Sequence, residues 1–107
     1  MSIVVPLDEL QRATQGRRLT YLVASDDRRQ RVLQVWPQYR DGCFDVEVGD
    51  GTARTIARRS DVVLVFPPQI DDPDRFTLLV DGTAEMLPDG SCRVRPGSAV
   101  LHRRERS

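Results

Sequence analysis

The 107-residue chain contains no lysine: all sixteen of its basic residues are arginine. That excludes Schiff-base and lysine general-base chemistry, and it leaves any anion to guanidinium groups or backbone N–H. Histidine is almost as scarce, with His102 alone near the C-terminal end. No histidine-based metal framework and no nucleophile–base pairing is visible, so a metal site is not expected. The two cysteines, Cys43 and Cys92, are distant in sequence and read as packed thiols of a reducing compartment, not as a disulfide framework. Apolar runs are short. The strongest, Val62 to Pro68, is far below membrane-spanning length. Met1 to Pro6 lacks the basic-then-apolar layout of an export signal, so a soluble, cytoplasmic protein is expected. Net charge is absent too: sixteen acidic residues balance the arginines. No global field draws the chain to nucleic acid or anionic lipid, neither of which is an expected partner, and neutrality favours self-association.

What is present is a set of strand patterns. Arg18–Ser25 places Leu19, Tyr21 and Val23 on one face and Leu22 and Ala24 on the other. Gln30–Tyr39 alternates Leu33, Val35 and Tyr39 against Val32 and Trp36. Asp41-Gly42 is a hairpin turn, and Phe44, Val46 and Val48 then alternate strictly with Asp45 and Glu47. The continuous run Asp61–Phe66 predicts a strand covered on both faces. Arg75–Leu87 is a long strand that must bend at Gly82, and Pro88-Asp89-Gly90 turns it into a last strand, Ser91–Arg95. A short apolar segment, Ala99–His102, follows.

Two helices complete the order. Pro6 to Gln15 begins with proline and two acids and stops at Gly16, which makes it a short docked lid. The second is expected to be capped by Thr52 and to run to about Arg59. Six strands with one wet face each predict a single mainly β domain over residues 1–107, a six-stranded antiparallel barrel with two short helices. Residues 1–5 and 103–107 are expected to fray.

The element order, together with Leu19–Ser25, Arg31-Val-Leu-Gln-Val-Trp36, the Asp41-Gly42 hairpin and Asp61–Pro67, resembles the pyridoxamine 5′-phosphate oxidase-like family. Leu78–Glu85 and Ser98–Arg103 look like a small actinobacterial branch of these bacterial proteins. The resemblance implies an FMN-binding split barrel, a homodimer with two flavin sites between its subunits, and an oxidoreductase of unknown substrate. In that family the flavin phosphate is held by an arginine early in the second strand, a lysine about five residues on, and a Ser/Thr-Arg-Lys cluster opening the helix after the third strand, whose basic pair this chain lacks. Arg31 matches the first position; Trp36 stands where the lysine would be. Gly51-Thr52-Ala53-Arg54 keeps the hydroxyl and one shifted arginine. The cofactor-binding residues implied are therefore Arg31, Trp36, Gly51, Thr52 and Arg54, with FMN or a deazaflavin as cofactor and no catalytic side chain.

The residues alone leave other readings open. Thr52 can merely cap a surface helix that Arg54, Arg58 and Arg59 solvate, and Trp36 can be a core or interface residue. Asp50 would compete with a phosphate at the same helix terminus. A split-barrel dimer that has lost its cofactor and serves as a binding or scaffold unit is the competing function.

Overall fold

The computed structural model describes residues 1–103. They form one open, wholly antiparallel sheet of eight strands and two short helices. The strands are β1 (Ser2–Val4), β2 (Tyr21–Ser25), β3 (Gln30–Gln34), β4 (Gln38–Arg40), β5 (Cys43–Val46), β6 (Asp61–Phe66), β7 (Thr77–Met86) and β8 (Cys92–His102). The helices are α1 (Leu10–Thr14), entered through a single 3-10 turn at Leu7–Glu9, and α2 (Asp50–Arg58). Strand order across the sheet is β3-β2-β6-β7-β8-β5-β4, with β1 added to the far end of β8.

The six strands expected from the sequence are thus corrected to eight, in a sheet that is not closed and has free edges at β3, β4 and β1. Two causes account for the difference. The segment Gln30–Tyr39 breaks into β3 and β4 at Trp36-Pro37, where proline has no N–H to give to a ladder. Residues 2–4, expected to fray, instead pair with Val100–His102 of β8. Of the other expected fray, residues 103–107, Arg103 is held by its N–H to the Met1 carbonyl at 3.0 Å, and residues 104–107 lie outside the described residues.

The segments Ser91–Arg95 and Ala99–His102 are one continuous strand. Gly82 pairs with Pro96 and Asp81 with Ser98, so Gly97 is the extra residue of a bulge that lets the β7–β8 hairpin bend. The bend needs glycine at 82. A Cβ there would stand 2.8 Å from the Arg95 carbonyl oxygen and 2.9 Å from Val94 Cγ1. Backbone cannot retreat as a side-chain tip can, so Gly82→Ala should destabilise the fold by about 1–3 kcal/mol, read from urea unfolding. A midpoint unchanged from the parent chain would mean that the bend is not tightly packed.

Alternation puts Leu33, Leu22, Leu64, Val80 and Ala99 in one cross-strand row facing the core. Phe44 and Phe66 fill the centre, with ring centroids 5.8 Å apart. Leu10 of α1 and Ile56 of α2 join the same cluster, so both helices close the inner side. The helix α1 is shorter than the span Pro6–Gln15 suggests, and Leu7 points outward, 42% exposed.

Candidate functional site

The residues at the start of α2 are held by β3. Arg31 faces inward with Leu33, and its Nε donates to Thr55 Oγ1 at 3.1 Å. That bond lays the guanidinium across the first turn of the helix. A Cβ on Gly51 would meet Arg31 Nη1 at 2.8 Å and Cζ at 2.9 Å. Glycine at 51 therefore leaves the space in which the arginine rests. Helices leave their first N–H groups unpaired, and α2 is capped at Gly49 by no side chain. A guanidinium, free backbone N–H groups and the helix dipole converge on one spot, the arrangement an oxyanion of a phosphate group requires.

The sequence-derived residues divide between two places. Arg31, Gly51 and Thr52 come together. Thr52 does not cap the helix, which begins two residues earlier at Asp50; its side chain is buried within the first turn instead. Arg54 lies on the solvent side of α2 with no partner among the described residues, and Arg58 is committed to Asp26 at 3.4 Å. Backbone N–H of Arg28, then that of Arg29 and the Arg58 guanidinium, hold the Asp26 carboxyl below its ordinary range, against some desolvation. Asp50 is exposed at the same helix turn. Trp36 is elsewhere. It follows the far end of β3, five residues and on the order of 16 Å from Arg31 at about 3.3 Å per residue, and is 72% exposed.

Trp36 borders two depressions. One, of about 550 Å³, is polar and runs past Gln38, Asp45 and Glu47 to the β7–β8 turn. The other, of about 190 Å³, lies between the chain after α1 and the β3–β4 break, with Tyr39, Phe44 and Phe66 among its walls.

Two residues that sequence reasoning passed over prove central. Thr55 is the hydroxyl that orients Arg31; its position one helical turn after Gly51 was the available signal. Arg17 is the other. Its Nη1 donates to the carbonyls of Phe66, Pro67 and Phe76 at 3.1, 3.2 and 2.9 Å, and its Nε to that of Ala13 at 3.1 Å. Burial pulls this guanidinium below its ordinary value, while Asp72 opposes the shift.

The cysteines are free and are not a redox pair. Cys92 is buried, which pushes its thiol up, and Cys43 is half-buried, less enclosed than its sequence suggested. His102, read from sequence as a tail residue, shares a 2.9 Å hydrogen bond between Nδ1 and Ser2 Oγ. Among the described residues no group of three or more metal-binding side chains occurs, and no helix is long and apolar enough to cross a membrane.

No family model matches the chain. Two mycobacterial relatives do, an uncharacterized protein of Mycobacterium bovis and one of Mycobacterium tuberculosis. Each is 34% identical over 116 aligned positions, covering 92% of this chain and 80% of the relative. Among solved structures, an FAD-binding protein of Mesorhizobium loti superposes with a TM-score of 0.75 at 13% identity, covering 94% of this chain and 96% of its own. A Corynebacterium glutamicum protein named as a candidate pyridoxamine 5′-phosphate oxidase gives 0.72 at 13% identity, over 95% and 98% of the two chains. An FAD-binding protein of Mycobacterium smegmatis gives 0.69 at 14% identity, over 96% and 100%. The chain therefore belongs to the family of these mycobacterial proteins, and its fold is the split barrel of the pyridoxamine 5′-phosphate oxidase-like and FAD-binding proteins.

Proposed function

We propose that the chain is a flavin-binding protein of the oxidoreductase type, working as a homodimer with FMN as the cofactor considered first and a deazaflavin or FAD as alternatives. The observation that carries this reading is the Arg31 guanidinium laid over Gly51 at the start of α2. Arg31, the backbone N–H groups of Gly51 and Thr52, and Arg54 from the solvent side would hold the phosphate end. An elongated cofactor would then run along the open edge of β3 toward Trp36. The cofactor would supply hydride transfer, and the protein would contribute binding, orientation and shielding from water. The FAD-binding neighbours named above support a flavin-type ligand in general. Neutral charge and the reducing-type cysteines fit a cytoplasmic setting.

FMN titration by fluorescence quenching tests the reading, with three variants. Arg31→Gln should weaken binding about ten- to a hundredfold, since a guanidinium–phosphate hydrogen bond contributes about 1.5–3 kcal/mol. Asp50→Asn should tighten it by removing a competing charge. Gly51→Ala should separate binding from folding: a helical alanine gains about 0.5–1 kcal/mol over glycine, yet its Cβ displaces Arg31. Stability should hold or rise while FMN affinity falls about tenfold. Affinity unmoved by all three would remove the phosphate from this end of the molecule.

A second reading keeps the dimer and drops the cofactor, leaving a binding or scaffold unit. Asp50 at the helix terminus and Trp36 in the lysine position favour it. Wild-type protein that fails to bind FMN, FAD or a deazaflavin at about millimolar concentration, well above ordinary cofactor affinities, would select it.

A further inference from the structure

The 190 Å³ cleft beside Trp36 has a chemistry of its own. Its floor is hydrophobic and fully sheltered: Phe44 is 1%, Phe66 2% and Val35 3% exposed. Tyr39 stands edge-on to Phe44 with centroids 5.2 Å apart, and the Trp36 indole forms the lip. The remaining lining is cationic or hydroxylic, from Arg17, Arg18 and the threonines 14 and 20, and contains no carboxylate. Arg17 spends its donors on backbone carbonyls. Arg18 is exposed and has no hydrogen-bond partner among the described residues.

Size and charge together define an occupant. A dry apolar cavity of about 150 Å³ holds benzene, so the 190 Å³ of this cleft suits one six-membered ring with a small substituent. Aromatic walls favour a planar ring, stacked or edge-on. A rim with arginine and no acid favours an anion and repels an amine, and a guanidinium matches a carboxylate with two parallel hydrogen bonds. We propose that this cleft binds a small planar aromatic carboxylate, its ring against Trp36, Tyr39 and Phe44 and its carboxylate on Arg18. The site lies at the opposite end of β3 from Arg31; it shares the Trp36 indole with the proposed flavin path but does not rest on flavin binding.

Trp36 is the only tryptophan in the chain; its indole borders both depressions, so its emission reports binding beside it and the Arg18 variant assigns that binding to this cleft. Benzoate, benzamide and benzylamine, similar in shape but anionic, neutral and cationic, are titrated into the full-length protein. Benzoate should shift or quench the emission saturably with a dissociation constant on the order of a millimolar, as so small a ligand allows. Benzylamine should bind at least about tenfold more weakly, and Arg18→Gln should cost benzoate about tenfold while leaving benzamide unchanged. Arg18 is exposed, so the variant folds. Equal binding of benzoate and benzylamine, or benzoate affinity indifferent to Arg18→Gln, overturns the proposal. So does emission that responds to protein concentration but not to benzoate, which would assign the cleft to contact with a second copy.

Discussion

Replacing Arg17 by methionine should cost this domain about 3 kcal/mol or more, a large share of the roughly 5–15 kcal/mol available to a folded protein. Among the described residues no other side chain joins so many separate pieces of backbone. From just after α1 it donates to the carbonyls of Phe66 and Pro67 at the end of β6, of Phe76 at the approach to β7, and of Ala13 in α1. Hydrogen bonds to a charged group contribute about 1.5–3 kcal/mol each, with shared donors falling well short of a sum. Methionine keeps the apolar stem and removes every donor, so the loss is one of hydrogen bonds and not of volume. Arg17→Lys keeps the charge but not the planar fork and should fall between the two. The neighbouring exposed Arg18→Met is the control, expected within about 0.5 kcal/mol of wild type. In thermal unfolding the Arg17→Met loss corresponds to a midpoint lowered by roughly 12–20 °C for a chain of this size. A variant no less stable than the Arg18 control would reduce Arg17 to a surface ornament.

That Arg17 was invisible beforehand is instructive. Three of its four acceptors are backbone carbonyls 49, 50 and 59 residues away, and carbonyls carry no residue type for a sequence to display. Where the signal was local, the sequence was readable. Asp61–Phe66 has the bounds its apolar run suggested, and strict alternation at Phe44 and Val46 located β5 and its inward face. The bend at Gly82 was legible because glycine inside a long strand has few other uses, whereas the compensating bulge at Gly97 was not. β1 was missed because a three-residue strand has no periodicity; it exists only because the last turn of β8 has an edge left to pair. At the candidate site, Arg31 and Gly51 came from the motif comparison. Their mutual fit, with the guanidinium filling the place of an absent Cβ, is a packing fact that spacing cannot give.

The run Asp61–Phe66 also carried a warning that the chain on its own does not answer. Its composition calls for cover on both faces, and the fold covers one. Val62, Leu64 and Phe66 are buried, but Val63 and Val65 face outward and are only half-buried. The register extends them into a second apolar surface. Tyr21, Val65, Leu79, Val100 and Val4 form one cross-strand row, with Gln34 at its β3 end, and Val32, Val23 and Val63 lie in the next, which turns polar at Asp81 and Ser98. Val4 is 76% and Val32 66% exposed. Antiparallel sheets ordinarily wet such a face with polar residues, and both helices lie on the other side.

The homodimer proposed above would cover this face, since the protein is neutral overall and two like surfaces would meet without net repulsion. Sedimentation at micromolar concentration should therefore give a dimer of the 12.1 kDa chain, with well over about 1,000 Å² buried in total. Leu79→Arg places a charge in the middle of the row. Leaving a charge buried and unpaired in an interface costs about 2–5 kcal/mol, so the dimer dissociation constant should rise about a hundredfold or more. The subunit itself should stay folded, since Leu79 is only half-buried within it and a long arginine can carry its head to water. Far-UV circular dichroism unchanged beside a monomeric sedimentation profile is the expected pair of results. Arg93→Leu on the polar outer face of β8, where Asp45 is its partner at 3.0 Å, should leave the dimer intact. A wild-type chain that sediments as a monomer would leave the second face of β6 without a cover and overturn the assignment; so would a Leu79→Arg variant that stays dimeric.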